Sequence, residues 1–304
     1  MIQLPDTFLK GSYPPLITPF DHDGAIDFAS FERLIDYQIA QGSHGLVISG
    51  TSAEPSVLTL VERKQLLEVA IRVAGKRVPV VCASGSQSFA ETAELTEHAA
   101  AAGADALLIV TPYYIRPPQR GLAAYFVELG KRSDLPLLMY HIPGRAAVTV
   151  TIDTLEQVAE GMPHFVGMKH ASNELSLVTE ALQRFGPNFR IFVGLEELSF
   201  PMLAIGASGM VNAVSNIAPR AVADLYQAMA DGDLARGRAL HFELFELNRA
   251  VFFDTNPIPM KYMARKLGLI RDNGHRLPMM RATLELESRL DRVLRDAGLL
   301  DADV

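Results

Sequence analysis

A short phrase recurs along the chain and narrows its fold more than anything else. Gln41-Gly42-Ser43-His44-Gly45 runs into the apolar stretch Leu46–Ser49. Ala102-Gly103-Ala104-Asp105 runs into Ala106–Val110, and Ile205-Gly206-Ala207-Ser208-Gly209 into Met210–Ala213. Each is a helix end, a glycine suited to a left-handed cap, a tight turn and then a strand. Repetition of this unit implies parallel strands joined by crossover helices. Strands are predicted at Tyr13–Thr18, Gly45–Ser49, Val78–Ala83, Ala106–Val110, Leu135–His141, Phe165–Lys169, Ile191–Val193 and Met210–Ala213. Helices are predicted at Phe28–Ala40, Leu60–Ala74, Phe89–Ala101, Gly121–Arg132, Thr154–Glu160, Leu175–Arg184, Leu198–Ile205 and Ala221–Met229. About eight such units close a (β/α)8 TIM barrel. The rival is a doubly wound open sheet, which usually announces itself by a glycine-rich first turn. Here the first strand runs into Pro19-Phe20-Asp21 instead.

From Asp233 onward the pattern is helical only, over Leu234–Phe253, Pro257–Leu267 and Pro278–Ala297. Residues 1–231 are therefore expected to form the barrel. Residues 232–304 are expected to form a helical extension packed on it or on a partner subunit. The length of 304 residues and the 49% apolar content suit one large core. A net charge of −7 without a basic cluster argues against nucleic-acid binding. No apolar run reaches the roughly 20 residues a bilayer requires. Met1 to Lys10 does not read as a signal peptide. The one cysteine, Cys82, lies in an apolar run and reads as core packing; these features together favour the cytoplasm.

In a barrel, the residues at the C-terminal strand ends converge on one face. Lys169 ends the apolar run Phe165–Lys169 there. A lysine packed beside apolar strands loses solvation, which favours its neutral, nucleophilic amine. The alternative is a strand-end lysine that snorkels to solvent. Lys10, Lys64, Lys76, Lys131, Lys261 and Lys266 read instead as polar helix faces or loops. After the second strand, Gly50-Thr51-Ser52-Ala53-Glu54-Pro55 offers two hydroxyls and turn amides suited to a carboxylate, or simply a helix-capping turn. Tyr113 and Tyr114 follow the fourth strand, either as packing or as a proton-passing phenol. The fifth strand ends in Tyr140-His141-Ile142-Pro143-Gly144-Arg145, where Arg145 is placed to grip a carboxylate or to pair with a surface acid. Glu196 and Glu197 follow the seventh strand at a helix start, where acids also serve the dipole. They argue against a phosphorylated substrate. The eight histidines show no paired ligand spacing, and no nucleophile elbow or phosphate loop is present, so neither metal nor cofactor is expected. His141 and His170 read as hydrogen-bonded structural residues, with a lining role as the alternative.

These motifs together resemble the dihydrodipicolinate synthase / N-acetylneuraminate lyase family of pyruvate-dependent class I aldolases. The likeness runs from Leu16-Ile17-Thr18-Pro19 to Arg276-Leu277-Pro278-Met279. It takes in Gly50-Thr51-Ser52-Ala53-Glu54, Thr111-Pro112-Tyr113-Tyr114, Tyr140-His141-Ile142-Pro143, Gly167-Met168-Lys169 and Asn256-Pro257-Ile258-Pro259-Met260-Lys261. The resemblance implies a barrel with C-terminal helices, assembled as a dimer or a tetramer of tight dimers. It implies that Lys169 forms the imine with pyruvate and that Tyr140 moves protons. Thr51 and Ser52 would hold the pyruvate carboxylate, with Thr51 linking Tyr140 to Tyr114 of a neighbouring subunit. Arg145 would bind the carboxylate of aspartate semialdehyde, and Gly194 and Val211 would form pocket walls.

The chain departs from the synthase pattern at Ala53 and Pro55 and at His141, where asparagine is common. It carries Leu195-Glu196-Glu197 where synthases carry two aspartates, an order closer to the lyases, whose acids bind sugar hydroxyls. Leu60 and Arg63 stand where lysine-inhibited synthases carry histidines, so lysine is not expected to regulate this chain. The activity implied is condensation of pyruvate with aspartate semialdehyde. The alternative is cleavage of a 2-keto-3-deoxy sugar acid or related hydroxy-keto acid to pyruvate and an aldehyde.

Overall fold

The structure is a computed structural model and describes residues 1–301. The chain passes through β1 (Gly11–Ser12), α1 (Phe28–Ala40), β2 (Leu46–Ile48), α2 (Leu60–Ala74), β3 (Val80–Cys82), α3 (Phe89–Ala102), β4 (Ala106–Val110) and α4 (Gln119–Gly130). It continues through β5 (Leu137–His141), the single turn α5 (Pro143–Ala146), α6 (Ile152–Gly161), β6 (Phe165–His170), α7 (Leu175–Phe185), β7 (Arg190–Val193), α8 (Ser199–Ala204), β8 (Gly209–Met210) and α9 (Pro219–Ala230). The eight strands are parallel neighbours in the order β1-β8-β7-β6-β5-β4-β3-β2. This is the (β/α)8 barrel. The local signals act as expected: Thr59 and Glu62 form a reciprocal capping box that starts α2, and Gly75 ends it in the left-handed conformation.

The circle closes between the first segment and β2 through His44 N–H to Ser12 O at 2.9 Å, Val47 N–H to Pro14 O at 2.9 Å and Leu16 N–H to Val47 O at 3.0 Å. The first strand was expected over Tyr13–Thr18, but only Gly11–Ser12 pair with β8. Pro14 and Pro15 have no N–H to give, so a continuous ladder cannot pass through them.

Two apolar layers result. An inner cluster fills the barrel with Tyr13, Val47, Leu108, Leu138, Tyr140, Val166, Phe192 and Val211. An outer one packs Met139, Met168, Ile191 and Val193 against the helices. β6 carries an extra residue, because Leu137 pairs with Phe165 but Leu138 pairs with Gly167. Period-two alternation alone would set Val166 and Lys169 on opposite faces; the bulge lets both face inward. Gly167 is required beside it, since a Cβ there would stand 1.9 Å from Arg190 O.

Beyond the barrel come α10 (Leu234–Glu243), α11 (Phe245–Ala250), α12 (Ile258–Lys266) and α13 (Leu284–Asp296). The helix expected over Leu234–Phe253 is two helices, because the chain turns at Leu244 to bury Leu244 and Leu247. The last helix starts at Leu284 rather than Pro278, with the Thr283 side chain accepting from Leu286 N. The end of the extension expected to 304 lies outside the described residues.

The segment between α12 and α13 is strapped to α2 by Arg276, whose Nη1 and Nη2 lie 2.9 and 2.6 Å from the two Glu62 oxygens. The Arg276 contact, helped by the Thr59 amide and hydroxyl, outweighs burial and lowers the Glu62 carboxyl to about 2. A carboxylate held below its ordinary value stabilises the fold at pH values above that ordinary value. The contribution is lost as the pH falls through the folded-state pKa. Glu62→Gln is therefore expected to lower the urea midpoint at neutral pH, with the deficit shrinking as the pH falls below about 4.5. A deficit that stays constant into that acid range would show that Glu62 is not the titrating group.

Candidate active site

The register of the middle strands assembles the site. Val110 pairs with Tyr140, Tyr140 with Lys169, and Lys169 with Phe192, so the strand-end side chains stand at one level of the barrel. Lys169 is buried, 5% exposed, with Nζ 4.2 Å from the centroid of the Tyr140 ring. The snorkelling alternative is thereby excluded. Gly194 makes room for the lysine, since a Cβ there would lie 2.8 Å from Lys169 Cε. Val211 is buried in the inner cluster and donates its N–H to Val193 O at 2.8 Å.

Thr51 and Ser52 sit on a 3-10 turn, Thr51–Ala53, that follows β2. Thr51 Oγ1 donates to Tyr140 Oη at 3.4 Å. Ser52 Oγ accepts from Asn256 Nδ2 at 3.1 Å. Above Tyr140 opens a cavity of about 740 Å³, lined by Thr51, Tyr113, Tyr140, Arg145 and Asn256 among others. Lys169 lies behind the Tyr140 ring rather than on the cavity wall. Arg145, on α5, reaches Asn256 O with Nη2 at 3.3 Å and presents a guanidinium to the cavity. Leu60 and Arg63 line its far side, with Arg63 Nη2 donating to Ala83 O and Gly85 O at 2.7 and 3.1 Å.

Tyr114, Glu196 and Glu197 are placed differently from one another. Tyr114 is 86% exposed, with a left-handed backbone (φ 74°), and does not line the cavity of its own chain. Glu196 is buried, its Oε1 accepting from Ala213 N at 2.6 Å. Burial pushes its carboxyl up to about 7, against its own amide, that of Ala213 and the Lys169 charge. Glu197 is exposed. Neither acid lines the cavity.

His141 and His170 face outward from the strands, fully buried, with Nδ1 of each 3.1 Å apart. Val150 N–H is directed at His141 Nε2 at 3.4 Å, so His141 Nδ1 carries the proton donated to His170. Burial, with the neighbouring ring, lowers His141 to about 4. The pair is a neutral structural one behind Tyr140 and Lys169.

Lys261, read from the sequence as lying on a polar face or loop, is instead fully buried and paired with Glu54 at 2.6 Å. The missed signal was a lone lysine in a stretch, Ile258–Ala264, with no polar side: every residue of it is buried. Asn256 was read only as part of a motif, and its place beside Ser52 and Arg145 depends on how the C-terminal segment folds back.

A buried strand-end lysine, a phenol against it and a hydroxyl on that phenol, at the C-terminal mouth of a (β/α)8 barrel, define a lyase of the class I, lysine-imine aldolase type. The chain belongs to the dihydrodipicolinate synthetase family, whose pattern it matches over residues 8–297. It is 41% identical over 292 residues to the 4-hydroxy-tetrahydrodipicolinate synthase of Thermus thermophilus, covering 96% of this chain and 97% of that one. The enzyme of the same name from Bartonella tribocorum is 39% identical, with 97% and 100% of the two chains covered. Among solved structures, the pyruvate complex of the chloride-inhibited dihydrodipicolinate synthase from Acinetobacter baumannii superposes with a TM-score of 0.93 at 34% identity, over 96% and 100% of the two chains.

Proposed function

We propose that this protein condenses pyruvate with aspartate semialdehyde to 4-hydroxy-tetrahydrodipicolinate through an imine on Lys169. The observation that carries the reading is the position of Lys169 Nζ against Tyr140, itself hydrogen-bonded to Thr51. The relatives described above add support, since those named 4-hydroxy-tetrahydrodipicolinate synthase match nearly end to end.

The Lys169 amine adds to the keto carbon of pyruvate. The keto oxygen leaves as water, and a protonated C=N bond remains. That cation draws electrons from the adjacent C–H bonds, so loss of a methyl proton gives an enamine. The enamine carbon then attacks the aldehyde carbon, the aldehyde oxygen takes up a proton, and the iminium reforms. Attack by the substrate's own amine releases Lys169 and closes the ring. Each step moves one proton a short distance. Because Thr51 donates to the Tyr140 oxygen, the phenol's own proton is free to point toward the reacting atoms. The Thr51 and Ser52 hydroxyls hold the pyruvate carboxylate, and Gly194 and Val211 wall the site. Arg145 receives the second carboxylate, where a planar fork of donors suits a bidentate grip.

Arg145→Ala is expected to raise KM for aspartate semialdehyde by roughly 10- to 100-fold while KM for pyruvate stays near wild type. An unchanged aldehyde KM in steady-state assays would remove Arg145 from the site. The wider test is a coupled assay with each candidate substrate. Turnover of a 2-keto-3-deoxy sugar acid, with none on aspartate semialdehyde, would overturn the proposal. That second reading drew on Glu196 and Glu197; Glu197 is exposed, and one oxygen of Glu196 is taken by the Ala213 amide.

The exposed Tyr114 fits a role in a neighbouring copy's site, with this chain a dimer or a tetramer of tight dimers in the cytoplasm. Among the described residues no helix is long and apolar enough to cross a membrane. Sedimentation is expected to show at least a dimer. Tyr114→Phe should slow turnover by roughly 10-fold or more without dissociating it. A fully active monomer would refute this role.

A further inference from the structure

The turn that bears Thr51 and Ser52 ends on Glu54, whose backbone is left-handed (φ 57°, ψ 47°). A residue with a side chain keeps that conformation only where its surroundings hold it. Here the hold comes from the far end of the chain. Glu54 Oε1 lies 2.6 Å from Lys261 Nζ on α12, and Oε2 lies 2.9 Å from His275 Nδ1 in the segment after it. All three side chains are at most 2% exposed. Lys261 donates further to Gly274 O at 2.8 Å and lies 4.1 Å over the Phe20 ring. Thr18 Oγ1 donates to Ala53 O at 2.9 Å, completing the enclosure of the turn.

Burial alone would raise the Glu54 carboxyl, but the His275 hydrogen bond and the Lys261 charge outweigh it and hold it below the usual range. Burial pushes Lys261 down to about 8, so the pair is ionised at neutral pH. Desolvation offsets most of the attraction in so dry a pair, which makes it a weak source of stability. Its geometric effect is larger. Neither Glu54 oxygen can shift without leaving a buried charge or ring nitrogen unmatched.

We infer that Glu54, clamped by Lys261 and His275, is a positioning residue for the Thr51 and Ser52 hydroxyls, so that the C-terminal helices set the grip on the keto acid's carboxylate. This rests on the reading that those hydroxyls bind pyruvate.

The test is the double variant Glu54→Gln/Lys261→Met, which removes both charges together and strands neither. It is expected to remain folded by circular dichroism and to raise KM for pyruvate roughly tenfold or more, with kcat and the aldehyde KM within about threefold of wild type. A folded double variant with wild-type pyruvate KM overturns the inference, because a pair that only stabilised the fold would behave that way. Lower kcat with both KM values unchanged overturns it too. If the double variant does not fold, His275→Leu, which keeps the ion pair, carries the test. Its pyruvate KM is expected to rise about threefold, and an unchanged value overturns the inference. Borohydride reduction of the wild-type protein with pyruvate separates the two levels. No adduct there refutes the pyruvate reading itself, whereas an adduct with unchanged variant KM values refutes only the role of the clamp.

Discussion

Lys169→Ala is expected to abolish covalent capture of pyruvate and to lower kcat by roughly 10⁴-fold or more, the scale on which loss of a nucleophile is felt. Among the described residues no other amine is placed to take over. Lys261 is the other fully enclosed lysine, but its Nζ is held between Glu54 and Gly274 O. Its lone pair is occupied by the proton those acceptors bind. The check is borohydride reduction in the presence of pyruvate, followed by intact-mass and peptide mapping. Wild type should gain one adduct, on the peptide carrying Lys169, and the variant none. An adduct of similar yield in the variant, or one mapping to another lysine, would defeat the imine assignment. The substitution leaves a void beneath the Tyr140 ring, so thermal unfolding should be measured alongside to show that the loss is chemical.

Tyr140→Phe should lower kcat by roughly 10²–10⁴-fold, the range for a missing acid–base group. The ring remains, so the surface against Lys169 Nζ and the inner-core packing are retained. Only the hydroxyl that Thr51 reaches is lost. Borohydride trapping should therefore still occur in this variant, but more slowly, while condensation fails. That pattern separates Tyr140 from Lys169, whose loss removes both. Wild-type turnover in Tyr140→Phe would remove the phenol from the proton path.

Much of this was legible in the primary structure, for an identifiable reason. The bounds of α1, α2 and β4 coincide with those expected from periodicity, caps and glycine turns. Those signals are carried by residues within a few positions of one another, and the helix–glycine–strand phrase repeats them around the barrel. The same local signals put Lys169 and Tyr140 at strand ends. Other features had no local signature. Pro14-Pro15 cut the first strand, because which N–H groups the closure needs depends on β2 and β8. The α10–α11 break depends on a core that Leu244 must reach.

The amino-acid order by itself therefore determined the barrel, its helical tail and the strand ends at which Lys169 and Tyr140 stand, since each is written in short-range pattern. Only the tertiary structure decided which way those side chains face and what stands behind them. The bulge at Val166 turns the lysine inward, Glu196 takes the Ala213 amide, and Lys261 and His275 return from the end of the chain to close on Glu54. The physical reason is that a buried charge must find its partner in space. Residues that meet only after the barrel has closed leave no periodic trace in the sequence that brings them together.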